Sequence, residues 1–374
     1  MALPPAAWLV ALSGLAGMGP ARLGAVLERW GPEEAWQRVC RGEVHLDAQV
    51  VASARHLDPA LGARWRQEAS RTDVAARWAV HAAGGVGIVA RGDEGFPASL
   101  TDDREAPAVL FHLGSLATLE RPRAAVVGTR RCTHAGRVTA RTLGRELARA
   151  GVCVVSGLAR GIDGEAHLGA LEASPAGGAA PAAVVGTGLD VVYPRANAEL
   201  WSRVATEGVV VSEYPLGTGP QPWRFPARNR IIAALADVVV VVESHARGGS
   251  LHTVDAALER DRTVMAVPGP VRSPASAGTN DLLVAGSAPV RDAGDVLAAL
   301  GLDAGALARS GVRPAAACSA LAATLLDAMG WEPTTIEEVA GRVRAPLAQV
   351  AVELARLERD GSVIRHGGWF ERRS

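Results

Sequence analysis

Two loops combine glycine with arginine, a composition suited to holding an anion. Their candidate residues are Gly128, Thr129 and Arg130 in the first loop and Ser156, Gly157, Arg160 and Gly161 in the second. Glycine permits close approach to the backbone, N–H groups at a helix start attract negative charge, and arginine offers a bidentate partner. One glycine turn on its own can simply reverse the chain. Two such loops with arginines favour a binding site for an anion.

Both loops follow short apolar runs that predict buried strands, at residues 124–127 and 152–155. Between them, residues 134–150 have helical spacing, with apolar side chains on one face and arginines on the other. Strand, helix and strand in this order form a βαβ unit. Ligands of open parallel sheets bind at the loops after the strands, so both glycine loops are expected at one edge.

Further apolar runs repeat this pattern and predict an α/β fold with a Rossmann-like parallel sheet of about six strands. We expect the additional strands at residues 182–185, 209–211, 237–242 and 264–267, with lead-in strands at 86–90 and 109–113. The segments after these strands supply the remaining binding candidates. They are Gly186, Gly188, Arg195, Arg224, Phe225, Arg228, Asn229, Arg230 and Ser250.

Aromatic residues make up only 4% of the chain, yet Trp223 and Phe225 lie among the arginines of one segment. Interleaved rings and guanidinium groups are typical of surfaces that bind single-stranded nucleic acid, because rings stack on bases and arginines contact phosphates. The alternative is that Phe225 belongs to the core and Trp223 covers a loop.

The formal net charge is zero, with 39 basic and 39 acidic residues, so charge alone does not indicate nucleic acid. The distribution is uneven, however: eight arginines and one acid, Glu146, lie between Arg121 and Arg149. Such a cluster indicates either a polyanion-binding surface or a solvated helix face. All 39 basic residues are arginine, which excludes a Walker lysine, a Schiff-base lysine and a lysine general base.

Apolar runs stay shorter than a membrane span of about 18 residues, and the apolar N-terminus lacks a basic flank, so we expect a cytoplasmic protein without membrane association.

The four cysteines, Cys40, Cys132, Cys153 and Cys318, are far apart and form no CxxC pair. This spacing suits a reducing compartment and argues against a zinc site or a disulfide framework.

Three parts are expected along the chain. Residues 1–80 predict a helical SAM or helix-hairpin-helix-like domain, whose hairpin at 17–19 could contact phosphate or serve only in packing. Residues 84–302 hold the extended Rossmann-like domain, and 303–317 read as an Ala/Gly/Arg-rich linker. Residues 318–374 predict a winged-helix-like domain of three helices and a hairpin, suited equally to DNA or to a protein partner.

A series of motifs in a fixed order resembles the DNA-processing protein A family, also called DprA or Smf. The motifs are GTR at 128–130, SGLARGID at 156–163, GTGLDVVYPRAN at 186–197, SEYP at 212–215, FPARNRIIA at 225–233, RGGSLHT at 247–253, VPG at 267–269 and GTN at 278–280. The resemblance spans residues 84–298 and extends to the three-part layout. The chain departs from the family's usual RSGSL at Gly248, where glycine keeps the turn.

The resemblance implies a protein that binds and protects single-stranded DNA and loads RecA recombinase onto it in natural transformation. It also implies a homodimer through the Rossmann-like domain and no enzymatic activity. We therefore expect no catalytic residue, cofactor or metal. The family's DNA-binding arginines correspond to Arg130, Arg195, Arg224 and either Arg228 or Arg230. The family often has lysine where this chain has Arg195 and Arg224, which keeps the charge but changes the geometry.

Two enzyme classes are the alternatives. Rossmann-like phosphoribohydrolases share glycines like Gly248 and Gly249 and an acid like Asp255, but Leu251 and His252 stand where their signature has Gly-Thr. A nicotinamide-dependent oxidoreductase would need G-x-G-x-x-G in the first loop and an acid after the second strand, where Ser156 is found.

Overall fold

Short valine- and alanine-rich segments pair into a sheet of nine strands in the computed structural model. The model describes residues 3–54, 57–302, 320–329, 333–359 and 362–372. The predicted linker at 303–317, Cys318 and the predicted helix end at Gly361 lie outside these described ranges. The chain divides into two compact units, residues 1–310 and 311–374, and the N-terminal helices belong to the first unit together with the sheet.

The sheet of the first unit confirms the α/β prediction. Its strands are β1 Gly87–Ala90, β2 Val109–Gly114, β3 Arg123–Val127, β4 Cys153–Ser156, β5 Ala182–Val185, β6 Val209–Ser212, β7 Val238–Val241, β8 Thr263–Ala266 and β9 Ala288–Pro289. Their spatial order is β1-β2-β6-β5-β4-β3-β7-β8-β9. Strands β3 to β9 pair in parallel, whereas β1 and β2 form an antiparallel extension on β6. The seventh parallel strand, β9, has only two residues and gave no apolar run to predict it.

Helices cover both faces of this sheet. The helices of the first unit are α1 Pro5–Ser13, α2 Pro20–Arg29, α3 Pro32–Arg41, α4 Ala48–Ser53, α5 Pro59–Ala69, α6 Val74–Ala83, α7 Ala98–Thr101, α8 His134–Arg149, α9 Ile162–Ala173, α10 Ala198–Glu207, α11 Arg224–Leu235, α12 Leu251–Leu258, α13 Ala277–Val284 and α14 Ala293–Ala299. Ala124 and Val126 of β3 pack in the same cluster as α8 and α9, whereas Ala125 and Val127 pack in the same cluster as α11 and α12. This alternation is the period of two that an extended strand imposes.

The N-terminal helices share a core with one end of the sheet, in which Leu12, Trp65 and Phe111 are all buried. The hairpin between α1 and α2 is held by side chains of α5. The Ala16 N–H donates to Glu68 at 2.7 Å, and the Trp65 indole N–H donates to the Ala16 carbonyl at 3.0 Å. These two hydrogen bonds anchor the residue just before the hairpin at 17–19 to α5, which favours the packing role for this segment.

The second unit has the predicted winged-helix composition of three helices and a small sheet. Its elements are α15 Ala320–Met329, β10 Thr334–Thr335, α16 Ile336–Val343, α17 Leu347–Arg359, β11 Val363–His366 and β12 Trp369–Arg372, with sheet order β10-β12-β11. Thr335 and Glu338 form a capping box at the start of α16. The first strand, β10, was missed because it has only two residues.

A buried histidine makes the stability of the first unit dependent on pH. His167 of α9 is fully buried, and its Nε2 lies 3.2 Å from the Ala182 carbonyl of β5. Burial lowers the pKa of His167 to about 4. In the unfolded chain the His167 imidazole takes up a proton near pH 6.5. The stability that the neutral, buried imidazole contributes is therefore complete above pH 6.5 and is lost as the pH falls towards 4. Its size is about 3 kcal/mol, since one pKa unit corresponds to about 1.4 kcal/mol.

We therefore expect urea unfolding of wild type to show falling stability between pH 6.5 and 4.5, with a smaller decline in His167→Gln. Glutamine does not titrate and can still donate to the Ala182 carbonyl. The difference between the two proteins isolates His167 from the carboxylates that titrate in the same range. Parallel pH profiles for the two proteins would show that His167 takes up its proton without cost to the fold.

A candidate nucleic-acid interface at the edge of the sheet

Four adjacent strands bring their following loops together at one edge of the sheet. Strands β5, β4, β3 and β7 are neighbours and run parallel, so their carboxyl ends meet. These loops and the start of α11 line a cavity of about 730 Å³. A second cavity of about 250 Å³ adjoins it and shares Arg130, Arg131, Tyr193, Phe225 and Arg228. We call the two cavities together the edge pocket.

A guanidinium and two rings form one continuous surface in the edge pocket. The Cζ of Arg130 lies 5.2 Å from the centroid of the Phe225 ring, and Arg130 is exposed. The ring of Tyr193, which is 41% exposed, lies 5.2 Å from the Phe225 ring at an angle of 31°. This arrangement offers π-faces to a base and a cation to the adjacent phosphate.

Further arginines surround this surface. Arg131 and Arg160 follow β3 and β4, and Arg247 lies in the loop before α12; all three are exposed and line the edge pocket. The lining acid, Asp163, is buried beneath the loops. The exposed charge in the edge pocket is therefore positive, as a polyanion requires.

The glycine loops bind an anion, but that anion is a side chain of the protein itself. The Gly157 N–H donates to the Asp163 carboxylate at 3.2 Å, and the amides of Gly128 and Ala159 also act to lower the pKa of this carboxyl. Burial raises the pKa of Asp163, while the charge of Arg228 and these amides act in the opposite direction. The Gly157 amide is therefore engaged inside the fold and is not available to a DNA phosphate.

Arg228 is buried under the edge pocket, and its positive charge acts to lower the pKa of Asp163. Burial lowers the pKa of Arg228 to about 10, with Arg130 acting in the same direction and Asp163 opposing it. Its guanidinium donates to the Val184 carbonyl and lies against Gly157, where no side chain would fit. Arg228 therefore stays charged at neutral pH and fixes the loops that carry the exposed residues.

Nine of the sixteen predicted binding residues line the edge pocket, and seven do not. Those lining it are Gly128, Thr129, Arg130, Gly157, Arg160, Phe225, Arg228, Asn229 and Ser250. Those outside it are Ser156, Gly161, Gly186, Gly188, Arg195, Arg224 and Arg230. Among the lining residues, Ser250 is mostly buried and its hydroxyl donates to that of Ser244 at 2.9 Å, so its role is internal.

Internal polar contacts engage three of the seven residues outside the pocket, namely Ser156, Gly188 and Arg230. The Ser156 hydroxyl is fully buried and donates to the Val126 carbonyl at 2.7 Å. Arg230 forms an ion pair with Glu213, whose side chain is only 2% exposed. The N–H of Gly188 donates to Thr218 at 2.8 Å. A DNA strand would have to break each of these buried contacts to use the group, which costs the desolvation free energy again.

Gly161, Gly186 and Arg195 also lie outside the edge pocket, for reasons of loop packing or position. Gly161 has φ +80° and lies against the Thr129 carbonyl, and buried Gly186 lies against the backbone of Arg224, so both serve loop packing. Arg195 is exposed and directly follows Pro194, which lines the edge pocket. Arg195 therefore lies at the rim of the edge pocket.

Sequence reasoning missed several polar or aromatic residues that line the edge pocket, and five of them are exposed to it or carry a ring or charge suited to binding. They are Arg131, Tyr193, His245, Arg247 and His252. Tyr193 and Arg247 stand inside the motifs quoted above, and both follow predicted strands, so position after a strand was the available signal. Nothing in the local pattern indicated that these side chains point towards Arg130 and Phe225.

The arginine-rich face of α8 is less basic than its sequence suggests. Arg141 pairs with Glu165 at 3.7 Å and also with Glu172, and Arg145 pairs with Glu172 at 3.4 Å, both acids belonging to α9. These pairs hold the two helices together and reduce the charge of that face. The positive surface is therefore concentrated at the start of α8, beside the edge pocket.

The fold and the edge pocket define a Rossmann-like α/β protein with a winged-helix unit and an arginine- and aromatic-lined site for a polyanion. Within the described ranges, no helix combines the length and the apolar character that crossing a bilayer requires. The family of DNA recombination-mediator protein A matches residues 87–301, and the DprA winged helix domain matches residues 310–368. The chain belongs to the DNA recombination-mediator protein A (DprA) family.

Individual relatives agree with this assignment. The chain is 38% identical to the putative DNA processing protein DprA of Mycobacterium tuberculosis over 366 residues, covering 93% of this chain and 90% of that one. It is 42% identical to DprA of Streptococcus pneumoniae over 206 residues, 55% of this chain and 71% of the other. The solved structure of that streptococcal protein superposes with a TM-score of 0.65 and 32% identity, covering 80% of this chain and 98% of that one.

A second solved structure is that of DNA processing protein A from Helicobacter pylori, which concerns the single-stranded DNA binding mode of that protein. It is similar with a TM-score of 0.52 and 28% identity, over 57% of this chain and 95% of the other.

Proposed function

We propose that this protein binds and protects single-stranded DNA in the edge pocket and loads RecA recombinase onto it during natural transformation or homologous recombination. The observation that carries the proposal is the exposed Arg130 guanidinium lying over Phe225, whose ring packs against that of Tyr193. The single-stranded DNA binding of the Helicobacter relative supports it.

The surface favours unpaired bases for a physical reason. A ring can stack on a base only where the base has a free face, which a single strand provides and a duplex does not. The surrounding arginines, Arg131, Arg160 and Arg247, neutralise phosphates whatever the sequence. Binding should therefore be weakly sequence-specific and steeply dependent on salt.

The role is a non-catalytic one, in which the protein acts as a homodimer through its Rossmann-like domain. A dimer would present two edge pockets to one strand, raising the effective concentration of the second site once the first is bound. Sedimentation velocity at several protein concentrations measures this state directly, and a monomer at all of them would contradict it.

The proposal is tested by RecA filament formation on single-stranded DNA coated with single-strand-binding protein, followed through the DNA-dependent ATPase activity of RecA. We expect the wild-type chain to shorten the lag before ATP hydrolysis and Arg130→Ala to leave it unchanged. No effect of wild type, despite tight DNA binding, would contradict RecA loading. Release of a free base from nucleoside monophosphates would instead support the phosphoribohydrolase alternative.

A further inference from the structure

A second large cavity lies beside the edge pocket, between the N-terminal helices and the sheet. It has a volume of about 860 Å³. One wall consists of the hairpin at residues 13–19 together with α6, and the other of the loop at 214–218 with Trp223 and Arg224. We call it the hairpin cleft. The proposed function does not use it.

The sheet-side wall of the hairpin cleft is an aromatic and guanidinium platform. The Arg224 Cζ lies 5.0 Å from the centroid of the Trp223 ring and 4.8 Å from that of Tyr214. The two rings meet edge to face, with centroids 6.5 Å apart. Trp223 is 59% exposed, which is unusual for so large an apolar side chain.

The platform is held in place by polar contacts on both sides. Arg224 donates to the Gly219 carbonyl. The Asp190 carboxylate accepts the Gly217 N–H at 2.9 Å, and the His81 Nε2 of α6 accepts the Leu216 N–H at 3.1 Å. These bonds fix the loop against the N-terminal helices, so the hairpin cleft is a formed site.

The charge of the hairpin cleft is positive on balance. Its lining includes Arg22 and Arg77 from the N-terminal helices and Arg224 from the sheet side, against Asp190. Asp190 is engaged by the Gly217 amide, and Arg77 is exposed. Rings together with arginines are the same chemistry through which the edge pocket is proposed to bind the strand.

Four consecutive residues connect the two cavities. Pro222 and Phe225 line the edge pocket, whereas Trp223 and Arg224 line the hairpin cleft. The start of α11 is therefore a ridge with an aromatic ring on each side. A strand leaving the Phe225 ring crosses this ridge and meets Trp223.

We propose that the hairpin cleft is a second subsite for the same single strand, with the next bases stacked on Trp223 and a phosphate held by Arg77. This inference rests on the proposed function, because it extends the path of the strand beyond the edge pocket. It gives the N-terminal helices a direct part in DNA binding through α6, although the hairpin amide at Ala16 is engaged by Glu68.

The test compares oligo-dT of about 5 and about 20 nucleotides, which lie at the lower end of the usual footprint of such sites and above its upper end. Fluorescence anisotropy is measured with the full chain, Trp223→Ala and Arg77→Ala. We expect each variant to bind the long oligonucleotide about 10-fold more weakly, as the loss of one stacked base or one phosphate contact predicts. Binding of the short oligonucleotide should stay unchanged. Arg77→Ala should also reduce the slope of log affinity against log salt by about 0.7 on the long one.

Matched controls exist for both substitutions. Trp369 is 50% exposed in the second unit and lines neither cavity, and Arg71 is exposed in the N-terminal segment but does not line the hairpin cleft. Trp369→Ala and Arg71→Ala should bind both oligonucleotides like wild type. Since Trp223 and Arg77 are exposed, their variants should unfold at the wild-type temperature, which a melting curve checks.

The remaining outcomes separate this inference from the proposed function. Unchanged long-oligonucleotide affinity in both cleft variants, with Arg130→Ala still impaired, overturns the second subsite alone. Equal losses on short and long oligonucleotides also overturn it, by placing Trp223 in the edge pocket. Unchanged DNA affinity combined with lost RecA loading overturns it too and assigns the hairpin cleft to a protein partner. No single-strand binding by wild type removes both proposals.

Discussion

Replacing Arg130 by alanine is expected to weaken single-stranded DNA binding about 10- to 100-fold. The variant removes a charge-assisted contact to phosphate worth about 1.5 to 3 kcal/mol, and each 1.4 kcal/mol is a factor of ten in affinity. It also removes the guanidinium that lies over the Phe225 ring. The measurement is fluorescence anisotropy with oligo-dT and a matched duplex at two salt concentrations.

The affinity that Arg130→Ala loses should depend on the salt concentration, because the lost contact is one to a phosphate. Removing one phosphate contact reduces the slope of log affinity against log salt by about 0.7 for a single strand. Arg130→Lys keeps the charge but loses the planar group over Phe225, so it should recover the slope and only part of the affinity.

Arg121→Ala is the matched control for this experiment, because Arg121 is exposed on the same unit and does not line the edge pocket. It should bind like wild type. Equal losses from Arg121→Ala and Arg130→Ala would mean that general charge, and no particular pocket, holds the strand. Wild-type affinity in Arg130→Ala would place the binding site elsewhere.

Replacing Gly169 by alanine is expected to destabilise the first unit by about 3 kcal/mol or more. A Cβ at Gly169 would lie 1.9 Å from the backbone carbonyl oxygen of Arg141, and a Cβ at Gly144 would lie 2.1 Å from that of Ala166. Helices α8 and α9 therefore touch backbone to backbone, and one extra methyl group must push them apart. Because these helices begin at the loops of the edge pocket, weaker DNA binding should accompany the loss of stability.

Gly24→Ala provides the control for Gly169→Ala. Gly24 is within helix α2, and no atom lies within 4 Å of its added Cβ. Alanine there should leave stability unchanged or raise it by up to about 1 kcal/mol, because alanine favours the helix. Urea unfolding of the two variants and wild type gives the comparison. Equal stability of Gly169→Ala and wild type would show that α8 and α9 are not packed this closely.

The strands could be predicted because burial of a strand on both faces requires a short, continuous run of apolar residues. Strands β5 and β7 are short, almost wholly apolar runs that end at glycine or at an acid, and the sequence alone placed both within a residue or so. The order of the strands cannot be read from such local runs, because it also depends on pairings between distant segments, such as those of β3 with β7 and of β2 with β6. Strand β9 was missed because two residues are too few to show a period.

Within the binding site, the direction of a side chain was harder to predict than its position. Arg228 and Arg230 stand two residues apart in one motif, yet Arg228 lies under the edge pocket while Arg230 pairs with Glu213. Two residues along an α-helix differ by about 200° in direction, so they face opposite sides. The same rotation at the start of the helix separates Phe225 from Trp223.

The sequence by itself determined the α/β class, the winged-helix unit and the family, because each depends on local periodicity or on motifs read in order. Only the tertiary structure decided which groups face the edge pocket. It placed Tyr193 against Phe225, brought Arg247 to the same edge, and gave the Gly157 amide to Asp163. The physical reason is that a buried polar group must find a partner within the fold, and that partner is fixed by packing between distant segments.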